Sequence, residues 1–174
     1  MNISYKHLLP QDFSPHSRVW IYQANRRFTL AEVLEAEKIL EQFTGQWQAH
    51  GAPVKGFATV MFGQFVLLVA DESATTVSGC STDSSVRVIK DMEKQFSLSL
   101  FDRQLLAFVV KDNIQLLPLS QLKYAVENRF ITGNTLYFNN TVSTKQELED
   151  NWIIPVSESW LSGKINFNTV APQH

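Results

Sequence analysis

The chain is short of three things, and each shortage excludes a class of protein. It has a single cysteine, Cys80, so no internal disulfide can form and no Cys/His cage has enough ligands to hold a structural metal. It has no long apolar run: the longest, FVLLVA, is far too short to cross a bilayer. It also has no surplus of either charge. Fifteen basic residues against seventeen acidic ones leave a formal net charge of -2, where a nucleic-acid binder carries a basic surplus or a clustered basic face. The opening MNISYKHLLPQDF lacks the basic start and apolar stretch of a signal peptide. The expectation is a soluble, cytoplasmic protein with no metal, no cofactor, no nucleic-acid partner and no membrane contact. The sequon Asn139-Asn140-Thr141 then carries no glycosylation meaning.

Apolar residues are plentiful. A hydrophobic share of 44% over 174 residues is enough to fill one core, so the chain reads as a single domain over 1–174. Residues 1–16 form an irregular lead-in, with Pro10 and Pro15 blocking regular pairing. RVWIYQ (18–23) alternates as a strand. TLAE (29–32) is a capping box with Phe28 and Val33 as its staple. Val33, Ala36, Leu40, Phe43 and Trp47 then recur at helical spacing along one face. FATVMFGQFVLLVA (57–70) reads as a hairpin turning at Gly63-Gln64. A second helix over about 84–96 sets Ile89, Met92 and Phe96 on one face. LLAFVVKD turns at Asp112-Asn113 into IQLLPL. The order β-α-β-β-α-β over 17–118 is that of a ferredoxin-like α+β core with an antiparallel sheet and both helices on one face.

The segment 119–162 reads as an αβα extension. Ser120 caps a short helix, with Leu119 and Tyr124 as a candidate staple. TLYFNN is a strand, and TKQE (144–147) is a second capping box. The aromatic cluster of Trp152 and Trp160, with Ile153, Ile154 and Leu161, packs back onto the sheet or makes a homodimer. Residues 163–174 read as a frayed tail.

The stretch DESATTVSGCSTDSSVRVIK (71–90) holds most of the candidate chemistry. A Ser/Thr/Gly-rich loop entering a helix can aim backbone N–H groups at a small anionic ligand. Ser78, Gly79, Ser81, Thr82, Ser84 and Ser85 would supply amides and hydroxyls, and Arg87 and Lys90, three apart on one helix face, the positive charge. The same residue types also cap a helix and pair with Asp83 or Asp91, so that alternative stays open. Cys80 before a helix start is a candidate nucleophile and His50 its candidate base. Asp71 and Glu72 at a strand end are candidate acid–base groups, or turn residues in solvent. Arg18, Arg26, Arg27 and Lys55 could enlarge a basic pocket or lie scattered on the surface.

HSRVWIYQANRRFT, HGAPVKGF, SGCSTDSSVRVIKDME, LFDRQLLAFVV, QLLPLSQLKYAVENRFITGNTLYFNNTV and NWIIPVSESWL together resemble an uncharacterised family of bacterial proteins, mainly from Bacteroidetes. The resemblance runs from about His16 to Leu161. Members often carry the label "ABC transporter ATPase". The residues do not support that label: there is no G-x-x-x-x-G-K-[ST] loop to cradle a triphosphate. The resemblance implies a family and no mechanism. The reading is a ligand-binding or protein-interaction domain, with an enzyme centred on Cys80 or on Asp71/Glu72 as the alternative.

Overall fold

Strand alternation and helical periodicity separate cleanly in this computed structural model, which describes residues 1–77, 79–165 and 167, Cys80 by its backbone only. The protein is α+β, with four α-helices and three antiparallel sheets among the described residues. The chain divides into two compact units. One comprises Asn2–Asp102 with Val142–Glu149; the other comprises Arg103–Thr141 with Asp150–His174 and Met1.

The first unit carries β1 (Arg18–Gln23), α1 (Leu30–Gln46), β2 (Gln48–Ala49), β3 (Ala52–Pro53), β4 (Lys55–Met61), β5 (Phe65–Asp71) and α2 (Gly79–Phe96). The main sheet runs β1-β5-β4. β5 sits in the middle because it is apolar at every position but the last, and all seven of its residues are buried. α1 begins as its sequence dictates. Thr29 Oγ1 accepts from the Glu32 N–H, and Glu32 accepts from the Thr29 N–H, closing the capping box. Ala36 and Leu40 from α1, and Ile89, Met92 and Phe96 from α2, meet Val66 and Leu68 in one cluster, so both helices cover the same sheet face. The hairpin between β4 and β5 turns one residue earlier than Gly63-Gln64. Phe62 and Gly63 both take positive φ, the mirror-image turn that matches strand twist, and Gln64 N–H donates to Met61 O at 3.0 Å.

The irregular lead-in is pinned by side chains. Ser14 N–H donates to Asp71 Oδ2 at 3.0 Å, Lys55 Nζ donates to Asp12 O at 2.9 Å, and the Tyr5 hydroxyl donates to Leu148 O. Tyr5, Leu9 and Phe13 are buried. α4 (Lys145–Asn151) opens on its expected capping box, with Glu147 N–H donating to Thr144 Oγ1 at 3.2 Å and Thr144 N–H to Glu147 Oε2 at 3.3 Å.

The second unit carries β6 (Leu105–Val110), β7 (Asn113–Pro118), α3 (Leu122–Glu127), β8 (Leu136–Phe138) and β9 (Ile153–Pro155), in the sheet order β7-β6-β8-β9. This order departs from the ferredoxin-like expectation. The strand expected to complete the first sheet, β6, pairs instead with β7 and β8. The β1-β5-β4 order matches three strands of that pattern, and the fourth belongs to another sheet. Local periodicity cannot choose a strand's neighbour; here β6 finds its partners within the C-terminal half of the sequence.

The expected Ser120 cap is also replaced. Residues 119–121 form a 3-10 turn, α3 follows from Leu122, and its start has no side-chain cap. Leu122, Ala125 and Val126 face inward as expected, whereas Tyr124 is 63% exposed and forms no staple. Trp152 and Leu161 are fully buried and Ile154 is buried, so most of the C-terminal apolar cluster is core. Trp160 is 40% exposed, with its Nε1 donating to the Tyr137 hydroxyl at 3.2 Å. In the stretch read as a frayed tail, Ile165 and Phe167 pack on this unit's core; Asn166 and 168–174 lie outside the described residues.

Candidate functional site

The hydroxyl-rich tract is helical. α2 starts at Gly79, five residues before the expected boundary, so Gly79, Ser81, Thr82, Ser84 and Ser85 occupy its first two turns. From Asp83 onward each amide has an acceptor four residues back, and the open loop of outward N–H groups is not formed. The hydroxyls point back at the helix: Ser84 Oγ donates to Ser81 O at 2.8 Å and Ser85 Oγ to Thr82 O at 2.7 Å. Ser81 and Ser85 are buried. Trp47 Nε1 donates to Ser81 O at 3.0 Å and ties the end of α1 to the start of α2. Ser78 and the Cys80 side chain lie outside the described residues, and His50 is exposed at the β2–β3 turn with positive φ. Helix propensity explains the miss: Ser and Thr are tolerated inside a helix when their hydroxyls back-bond to preceding carbonyls.

Of the predicted site residues, Arg87 and Lys90 come together with Asp83 and Val86 around an open hollow of about 330 Å³ on the outer face of α2. No ion pair holds Arg87 or Lys90 among the described residues.

The other charged candidates are committed to the fold. Asp71 is 4% exposed and accepts from Ser73 Oγ, from Ser14 N–H and from Ser73 N–H, with Lys55 Nζ 3.7 Å away. The Ser73 hydroxyl first, then the Ser14 amide, hold its carboxyl down to about 2. A carboxylate with its lone pairs so filled is a poor proton acceptor at neutral pH. Glu72 accepts from Val77 N–H at 2.8 Å and lies 3.7 Å from Arg18. Arg18 stacks over Trp20; Arg26 grips Glu32 through two 2.9 Å bonds and also donates to Phe96 O; Arg27 donates to Phe62 O at 3.2 Å. The expected basic pocket around these arginines and Lys55 is therefore not assembled. Among the described residues no group of three His, Cys, Asp or Glu side chains could hold a metal ion, and no helix is long and apolar enough to cross a membrane.

A site not anticipated from the sequence lies in the second unit. A groove of about 320 Å³ runs between β6–β7 and α3, floored by Val110, Leu117 and Ile131 and rimmed by Gln115, Tyr124 and Phe130. Tyr124 and Phe130, both lining the groove, are 63% and 65% exposed, an unusual position for two aromatic rings. Phe130 is placed there by the exit from α3. Arg129 takes a positive φ, and the Phe130 N–H returns to Ala125 O at 2.8 Å, closing the helix end. The signal that could have found this site is Pro118, since proline in a strand marks a sheet edge.

No family model, no curated protein and no solved structure matches the chain.

Proposed function

We propose that this protein is a non-catalytic binding module whose contact surface is the apolar groove of the second unit, which receives an apolar segment of a protein chain. The observation that carries this reading is the exposed pair Tyr124 and Phe130 over a floor of Val110, Leu117 and Ile131. Aromatic side chains left in water at the rim of a concave apolar surface are characteristic of a contact site, because they bring large burial at low entropic cost. The test is an apolar dye, anilinonaphthalene sulfonate, added to dilute protein. The expected result is enhanced fluorescence that Tyr124→Glu or Phe130→Glu abolishes without loss of helical circular dichroism. No enhancement with the parent protein would contradict the reading.

A second reading, an anionic ligand on α2, is favoured by one observation: Arg87 and Lys90 share a hollow without an ion pair among the described residues. On this reading the side chains carry the charge recognition, since the helix uses the amides beyond its first turn. Sulfate or phosphate would raise the melting temperature of the parent protein and not that of Arg87→Ala. Stabilisation equal in both would remove it.

A further inference from the structure

The segment Val142–Glu149 leaves its sequence neighbours. The residues on either side of it belong to the second unit, and it packs with the first. There it meets the lead-in, residues 2–17, and each segment completes the other. α4 has seven residues, too few to hold itself in water, and the amides of its first turn have no acceptor within the helix. The lead-in supplies two: Lys145 N–H donates to Ser17 O at 2.8 Å and Gln146 N–H to Pro15 O at 2.9 Å. In return α4 satisfies the lead-in. Leu148 O accepts from the Tyr5 hydroxyl, and Lys145 Nζ donates to Phe13 O at 3.5 Å. The Lys145 side chain is only 7% exposed, and Glu149 Oε1, 3.3 Å away, is its counter-charge. Leu9 and Phe13 on one segment, and Val142 and Leu148 on the other, are buried.

Together the two segments close the outer edge of β1, the strand that ends the main sheet. Val19 N–H donates to Ser143 O at 2.9 Å, and an isolated bridge pairs Arg18 with Thr144. Side chains tie the lead-in to the sheet: Ser14 N–H donates to Asp71 Oδ2 at 3.0 Å, and Lys55 Nζ donates to Asp12 O at 2.9 Å. A covering element of this kind keeps a sheet edge from pairing with another chain.

We infer that residues 2–17 and 142–149 form a clasp over the β1 edge that opens and closes as one unit, locked by the buried Lys145–Glu149 pair. Neither half can leave alone. If the lead-in lifts, Lys145 and Gln146 lose the acceptors of their amides, and the Lys145 ammonium loses the Phe13 carbonyl. If α4 lifts, the Tyr5 hydroxyl and the Pro15 and Ser17 carbonyls lose their partners. A buried polar group left unpaired costs more than its bond is worth, so a half-open clasp is the least stable arrangement. β5 is paired on both sides and buried at all seven positions, so the centre of the sheet holds without the clasp. Opening of the clasp therefore lies below global unfolding in free energy. It frees the Val19 N–H and turns the closed edge of β1 into an open one.

The test is native-state hydrogen exchange of the full chain, read at the amides of Ser14, Val19, Lys145 and Gln146, with Leu67 and Leu68 in β5 as the reference. The expected result is a single opening equilibrium shared by the four amides, with more frequent opening than in β5. Tyr5→Phe removes the hydroxyl that Leu148 O accepts, and Glu149→Gln takes the counter-charge from Lys145. Each variant is expected to speed exchange at all four amides by a common factor, about tenfold for Glu149→Gln, with β5 unchanged. Should Glu149→Gln fail to fold, Tyr5→Phe decides. Four unrelated rates, an effect of Tyr5→Phe confined to α4, or exchange no faster than that of β5 overturns the inference.

Discussion

Glu37 of α1 accepts the Val60 N–H at 2.6 Å and the Thr59 hydroxyl at 2.7 Å, placing a helix carboxylate against the outer edge of β4. The helix that covers the sheet face thus also closes the strand's edge. Glu37→Ala leaves a half-buried backbone donor without its acceptor, which costs about 1–3 kcal/mol. Urea unfolding is expected to show that loss, with Glu37→Gln losing less because its amide oxygen still accepts.

Gly56 is held to glycine by an indole ring. A Cβ at this position would lie 2.8 Å from Trp47 Cε3. Because Trp47 also anchors Ser81 O, it has little freedom to retreat. Gly56→Ala is expected to destabilise by about 1–3 kcal/mol through overpacking, read from the denaturation midpoint. Unchanged stability would mean that Trp47 yields easily.

Asp71 sets an acid limit on the fold. Its folded carboxyl titrates at about 2, against about 4 for a free aspartate. A depressed folded value means that the unfolded chain binds the proton first, so the stabilisation is complete above about pH 4 and fades as pH falls toward 2. Asp71→Asn is expected to lower stability at neutral pH and to narrow its gap to the parent protein in that acid window, as measured by chemical denaturation at stepped pH. A gap that stays constant from neutral pH to pH 2 would contradict the assigned contacts.

The groove rim and the core should respond oppositely to truncation. Leu40 is fully buried between α1 and the sheet, and Leu40→Ala is expected to cost about 2–5 kcal/mol. Phe130 is mostly exposed, and Phe130→Ser is expected to change stability by no more than about 0.5 kcal/mol in dilute protein. Thermal melts of the two variants side by side check this; a large loss for Phe130→Ser would make it a core residue.

The sequence was most informative where the determinants are local. The Thr29/Glu32 and Thr144/Glu147 capping boxes, the Ala36–Leu40 stripe and the burial of Ile89, Met92 and Phe96 all depend on residues a few positions apart. It misled where two local solutions compete. The hydroxyls of Ser84 and Ser85 could have capped a helix beginning near them, and instead they bond inside one that begins at Gly79. It was silent where the outcome depends on distant partners. The choice of β8 over β1 as neighbour of β6, and the exposure of Tyr124 and Phe130, follow from long-range pairing that periodicity does not encode.

The open edge of β7 is tested most directly by residue-resolved amide hydrogen exchange. β7 (Asn113–Pro118) ends its sheet and pairs with β6 across the two-residue turn at Lys111-Asp112, so the account predicts fast exchange at Ile114 and Leu116 and slow exchange at Gln115 and Leu117 in dilute protein. Slow exchange at Ile114 and Leu116 in dilute protein would show that the chain closes this edge by itself, and would contradict the account.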